Sequence, residues 1–170
     1  ETWSQGLHTA LNDNEALRAA IGDKKLSTTF PTDAYAGDLK AVASLVDSHT
    51  QRGTDRDVFF VSMSGWDHHA DVKEGLDSNF KKLNGALSAF ETEMKAQGKW
   101  DDVTVVVTSD FGRTLNPNSG KGSDHGWGGN YFAMGGAVKG GQVLGDYPDD
   151  LSPDGPLNVG RGRLIPTMSW

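Results

Sequence analysis

An acid and an imidazole two residues apart, Asp67 and His69, are the first candidates for chemistry in this chain. In extended backbone, residues i and i+2 point to the same side. Asp67 and His69 can therefore chelate one cation together, while His68 between them points elsewhere. Two further groups lie downstream: Asp110, followed by Arg113, and the pair Asp124 and His125 inside a Gly-rich stretch. Carboxylates supply charge and hard oxygen donors, and neutral imidazole supplies a borderline nitrogen donor. A mixed Asp/His set suits Zn²⁺, Mn²⁺ or Fe²⁺ better than an all-oxygen Ca²⁺ cage. Arg113 reads either as a clamp on a substrate oxygen or as a surface ion pair. Each candidate has a plainer alternative. Asp67 can cap a loop, Asp110 can start an Asx-turn ahead of Phe111 and Gly112, and Asp124 can be a solvated turn residue. His8 and His49 fall on predicted helices and read as structural. Trp66 and Trp127 flank the two His-bearing loops and read as packing or as pocket walls.

The elements that must position these residues follow from periodicity. Trp3, Leu7, Leu11, Leu17 and Ile21 predict a helix over 3–21, with Gly22 as its stop. Tyr35, Leu39, Val42, Leu45 and Val46 predict a second over 33–52, ended by Gly53. Val72, Leu76, Phe80, Leu83, Leu87, Phe90 and Met94 predict a long third helix over 72–97, closed by Gly98. Two apolar, β-branched runs bracket it, 58–63 and 103–108, and read as buried strands. Strand, covering helix and strand make a βαβ unit with a parallel pair and a right-handed crossover. In open parallel sheets, ligands bind beyond the carboxyl ends of the strands. Asp67, His69 and Asp110 fall at those ends, and glycines 120, 122, 126, 128 and 129 let the loop bearing Asp124 and His125 fold back closely. Residues 131–134 and 142–144 are short strand candidates, and 146–163 reads as loop. The chain thus divides into a helical segment (1–56), a βαβ unit (57–108) and Gly-rich loops with short strands (109–170).

Composition narrows the function classes. The chain has 170 residues, a formal net charge of −7, 36% hydrophobic and 23% charged residues, 22 glycines and no cysteine. It is too apolar for intrinsic disorder. Its acidic balance argues against nucleic-acid or polybasic membrane binding. No run approaches the ~18 apolar residues of a membrane span. Without Cys there are no disulfides, thiolate nucleophiles or Cys-bound zinc. The first residue is Glu1 rather than Met, so the chain is expected to be processed or truncated.

The order G-W-D-H-H, T-S-D-F-G-R-T, G-S-D-H-G-W-G-G and M-G-G-A-V-K-G-G resembles a bacterial family, the domain of unknown function numbered fifteen-oh-one. The resemblance covers about residues 57–170. That family is placed in the alkaline-phosphatase and sulfatase superfamily, which implies a three-layer α/β sandwich with a mostly parallel sheet, this chain forming the C-terminal half of the full fold. It also implies a centre of one or two divalent metals, Zn or Mn, at Asp67, His69, Asp110, Asp124 and His125. The activity implied is hydrolysis of small anionic esters, phosphate or sulfate; in such a hydrolase Arg113 is expected as the catalytic anion clamp. A non-catalytic exported binding or scaffold protein is the alternative. Two positions depart from the pattern. His68 stands where the family usually has Thr, and Phe111 stands where the wider superfamily has a His ligand, so that either His125 takes its place or a second metal site is absent. No Ser or Thr near these residues opens a helix, so the nucleophile is expected from an upstream part of the same polypeptide. Family members are commonly exported, which implies a periplasmic or extracellular location.

Overall fold

The computed structural model describes residues 2–22 and 25–168. Among them are four α-helices: α1 (Trp3–Ile21), α2 (Ala34–Asp47), α3 (His49–Arg52) and α4 (Val72–Ala96). Four short strands follow: β1 (Val105–Val107), β2 (Gly112–Arg113), β3 (His125–Gly126) and β4 (Phe132–Met134). The chain divides into two compact units, Glu1–Met63 with Lys82–Gly98, and Ser64–Lys81 with Lys99–Trp170.

The first unit is helical. A capping box starts α1: Thr2 Oγ1 accepts from Gln5 N, and the Gln5 side chain accepts from Thr2 N at 2.9 Å. Asp33 caps α2 by accepting from Ala36 N at 3.1 Å. The second predicted helix breaks at Ser48, so that α3 is a separate turn. The core lies between small and large side chains. Ala36 and Ala43 of α2 are fully buried, as are Ala86, Phe90 and Met94 of α4, with Leu87 beside them. Residues 86, 90 and 94 recur at the four-residue spacing that keeps one helix face continuous. Glu93 is buried in the same face. Its carboxylate accepts from Thr28 N at 2.7 Å and from Gln97 Nε2 at 3.0 Å, which satisfies a charge that would otherwise be costly.

The expected three-layer α/β sandwich with a mostly parallel sheet is not what the chain forms. Among the described residues the sheets are two antiparallel pairs of two strands each, β1 with β4 and β2 with β3. Residues 58–62 line a cavity together with Asp38, Ala41, Val42 and Leu45 of α2, but segment 58–63 pairs with no strand among the described residues. Val58 is 98% exposed and Phe60 91%. An apolar, β-branched run favours extended backbone, but a strand also needs a neighbour, and composition does not supply one. Of the run 103–108 only three residues pair. Their partner is β4, in the register Val105↔Met134, Val106↔Ala133 and Val107↔Phe132. Antiparallel pairing needs no helical crossover, so α4 does not serve as one. Residues 131–134 contain β4, as the pattern suggested, whereas 142–144 form no strand.

In the second unit, loops tied to one another do the positioning. The two-residue pair β2–β3 sets Gly112 opposite Gly126 and Arg113 opposite His125. A bridge joins Ala70 to Lys121, and another joins Asn158 to Leu164.

Candidate metal centre

The segment 65–70 enters the second unit against the first turns of α4. Trp66 meets Phe80 edge to face, with ring centroids 5.1 Å apart, and Asn79 Nδ2 donates to Gly65 O at 2.6 Å. His68 turns toward α4 and lies flat over Gly75, where an added Cβ would stand 2.3 Å from its Cε1. That seat exists only because residue 75 has no side chain. Asp67 and His69, one residue either way, carry their side chains into solvent, about half exposed.

The loop 118–122 closes on this segment from the other side. Asp71 N donates to Gly120 O and Val72 N to Lys121 O, both at 3.1 Å. Gly122 packs directly on the backbone of residue 69; a Cβ there would lie 2.2 Å from the carbonyl carbon. Asn118 organises the loop. Its Oδ1 accepts from Gly120 N and Gly122 N, and its Nδ2 donates to His69 O at 3.0 Å and to Asp124 Oδ1 at 3.2 Å.

Three donors then converge. Asp67 Oδ1 lies 3.0 Å from His69 Nε2 and 3.0 Å from His125 Nε2, and the two nitrogens are 3.3 Å apart. Three ligands held ~2.0–2.1 Å from a tetrahedral cation sit about 3.3 Å from one another, so this triangle has the dimensions of one face of such a site. All three side chains are exposed, which leaves the outward direction open. The far side of His69 is also arranged for ligation. Nδ1 faces Asp124 Oδ1 at 3.3 Å, and a proton shared there fixes Nε2 as the lone-pair nitrogen. Phe111 stacks on the His125 ring at 4.2 Å between centroids and 23° between planes, and Arg163 Nε donates to His125 O at 3.0 Å. The donor set therefore fits a divalent metal.

Arg113 ties the pieces together. Nε donates to Ser123 Oγ at 2.7 Å, Nη2 to His68 O at 3.0 Å and to Ser123 O, and Nη1 to Asp67 Oδ1. The hydrogen bond from Arg113 is the main reason the Asp67 carboxyl sits below its ordinary pKa; slight burial opposes it, and His125 and His69 add to the lowering. A carboxylate offers about four lone-pair positions, so Asp67 can serve Arg113 and a cation at once. Asp124 is also lowered, chiefly by the Asn118 hydrogen bond, against desolvation, with His69 and Arg161 contributing. Both acids are ionised at neutral pH.

Of the residues expected at the site, Asp67, His69 and His125 are brought together as potential ligands, Asp124 buttresses His69, and Arg113 buttresses Asp67. Asp110 is exposed and lies outside the donor group. Sequence reasoning missed Asn118, Arg161 and Arg163. The turn-rich run Asn116-Pro117-Asn118-Ser119-Gly120 carried a signal for the first, and the repeat Gly160-Arg161-Gly162-Arg163 for the others.

Fold and site together define a protein of two small units, one of which carries an exposed Asp–His–His group able to hold a metal ion. The sequence model of a family described as "Protein of unknown function (DUF1501)" matches residues 12–156, and the chain belongs to that family. No curated protein and no solved structure matches it.

Proposed function

We propose that this protein is a metal-dependent hydrolase of small anionic esters, phosphate or sulfate, with one Zn²⁺ or Mn²⁺ held by Asp67, His69 and His125. The observation that carries the reading is the triangle of donor atoms, 3.0, 3.0 and 3.3 Å on a side, with Asp124 behind His69. A bound divalent cation would supply Lewis acidity toward an anionic oxygen. The chain's own residues do the rest. Asp124 and Asn118 orient the His69 ring, Phe111 and the Arg163 bond orient His125, and Arg113 holds Asp67 ionised and in place. The test is calorimetric titration of the purified protein with Zn²⁺ and Mn²⁺, followed by metal-dependent hydrolysis of aryl phosphate and aryl sulfate. Saturable binding of one ion together with metal-dependent turnover of either ester, both abolished in His69→Ala, supports the reading. Absence of binding to the unaltered protein refutes it.

A second reading has its own support. Two candidate hydroxyls are committed elsewhere: Ser109 Oγ donates to Phe111 O at 3.1 Å, and Ser123 Oγ accepts from Arg113. A non-catalytic binding or scaffold protein with one structural metal fits that observation. Metal that raises the melting temperature without turnover selects this second reading. By the family resemblance, the protein would act in the periplasm or outside the cell, which cell fractionation checks.

A further inference from the structure

Every nitrogen of the Arg113 guanidinium donates to protein, and its side chain is only 21% exposed, so it has little left to offer a ligand. A different guanidinium beside the donor triangle has N–H groups to spare. Arg161 is 57% exposed, and its one partner among the described residues is Asp124 Oδ2. The other oxygen of that carboxylate faces His69 Nδ1.

The backbone that presents Arg161 is fixed. It is the tip of a tight reversal closed by the Asn158–Leu164 bridge, Val159 N to Arg163 O at 3.0 Å and Arg163 N to Gly160 O at 3.1 Å. Asn158 Oδ1 also accepts from Gly160 N and Gly162 N. The reversal is anchored by Leu115 N to Gly162 O at 3.0 Å and Gly128 N to Leu164 O at 2.9 Å. Arg161 itself has φ +58°, a left-handed conformation unfavourable for a residue with a Cβ. A glycine would be the relaxed choice there, so holding an arginine at the tip calls for a role for its side chain.

Charge narrows the ligand. Three guanidiniums, Arg113, Arg161 and Arg163, bond to residues of the site, which itself carries two carboxylates, Asp67 and Asp124. The frame is therefore net positive by one charge, to which a divalent cation adds two. A dianionic phosphate monoester matches that field better than a monoanionic sulfate ester or phosphodiester. We propose that Arg161 is the specificity-determining residue of the site: its guanidinium rests on Asp124 when no ligand is bound and turns to the non-bridging oxygens of a phosphate monoester. The planar fork of arginine suits that paired-oxygen contact. The assignment rests on the metal-centre reading above.

The experiment is calorimetry at mildly alkaline pH of inorganic phosphate, there a dianion, and of methanesulfonate, a monoanion like a sulfate ester, into the zinc-loaded protein, unaltered and as Arg161→Gln and Arg161→Lys, with zinc stoichiometry measured for each. Arg161→Gln should weaken phosphate binding about 10- to 100-fold, the range expected for losing hydrogen bonds to a charged group. It should leave zinc stoichiometry and melting temperature unchanged. Arg161→Lys should recover part of the loss, and phosphate should bind the unaltered protein more tightly than methanesulfonate. Equal phosphate affinity in the unaltered and Arg161→Gln proteins overturns the assignment. Loss of zinc from Arg161→Gln also overturns it, because Arg161 would then be a positioning residue for His69. Failure of the unaltered protein to take up zinc overturns the metal-centre reading and this one with it, a result distinct from the other two.

Discussion

Replacing Gly75 by Ala tests how the donor loop is oriented. A Cβ at residue 75 would stand 2.3 Å from His68 Cε1, 2.4 Å from Nδ1 and 2.8 Å from Nε2. Ordinary carbon contacts are ~3.5–4.0 Å, so the ring must retreat by about 1 Å or leave its seat. Two effects oppose each other. Alanine in place of glycine favours the helix by up to about 1 kcal/mol. Overpacking costs about 1–3 kcal/mol. Part of that cost is relieved if the imidazole swings out, at the loss of its contact with Asn79. The net expectation for Gly75→Ala is a destabilisation of about 1 kcal/mol from the difference of these two terms. In a His68→Ala background the clash is gone and the same change should stabilise by up to about 1 kcal/mol. The double-mutant cycle should therefore show a coupling of about 2 kcal/mol, within the range seen for residues in contact. Urea denaturation of the four proteins measures it. Gly75→Ala stabilising by the same amount in both backgrounds would show that His68 does not occupy that seat, and the outward aim of Asp67 and His69 would lose its explanation.

Three further outcomes are expected. Asp124→Asn should lower zinc affinity about 10- to 100-fold, the usual effect of losing a carboxylate behind a ligating histidine, as read by competition with a chromogenic chelator. Arg113→Lys should lower zinc affinity nearly as much as Arg113→Gln in the same assay, because an ammonium cannot bond Asp67, Ser123 and the His68 carbonyl in one geometry. Burial pushes the Glu93 carboxyl up, but hydrogen bonds from Gln97, Thr28 and Ser27 outweigh it and hold the group below its ordinary pKa. Its contribution to stability is thus complete above the unfolded value of about 4.3 and lost as pH falls through the lower folded value, so Glu93→Gln should flatten the acid limb of a melting-temperature profile.

The long helices were readable because the signals for them are local. The apolar period of α4 and Gly98 after it lie within one stretch of chain, and so do the α1 pattern and Gly22. The break at Ser48 was not readable, since it depends on a fully buried Ser48 and on Arg52, which turns back to donate to Leu45 O and Ser48 Oγ. The strands failed for a related reason. Segment 58–63 has the composition of a buried strand, yet a ladder is made by two segments, and β1 found its partner downstream in β4 rather than upstream. At the site, residue type and the two-residue spacing of Asp67 and His69 were enough to nominate donors. They could not reveal Asn118, whose bond to His69 O spans 49 residues of chain, or Arg161, whose partner Asp124 is 37 residues away.

The donor triangle is held by side chains where a parallel sheet was expected to hold it. The pair β2–β3 is two residues long, too short to be stable by itself. It nevertheless sets Arg113 opposite His125, and Arg113 then reaches across to Asp67 and to the carbonyls of His68 and Ser123. Asn118 makes the matching link between His69 O and Asp124. Each link joins the segment bearing Asp67 and His69 to the loop bearing Asp124 and His125, so the two halves of the donor set are cross-tied from both sides. Such a frame aims polar atoms at one point without burying them. The price is that its geometry rests on a few charged and amide hydrogen bonds, so substitutions at Arg113 and Asn118 should disturb the site well before they disturb the helical core around Phe90 and Met94.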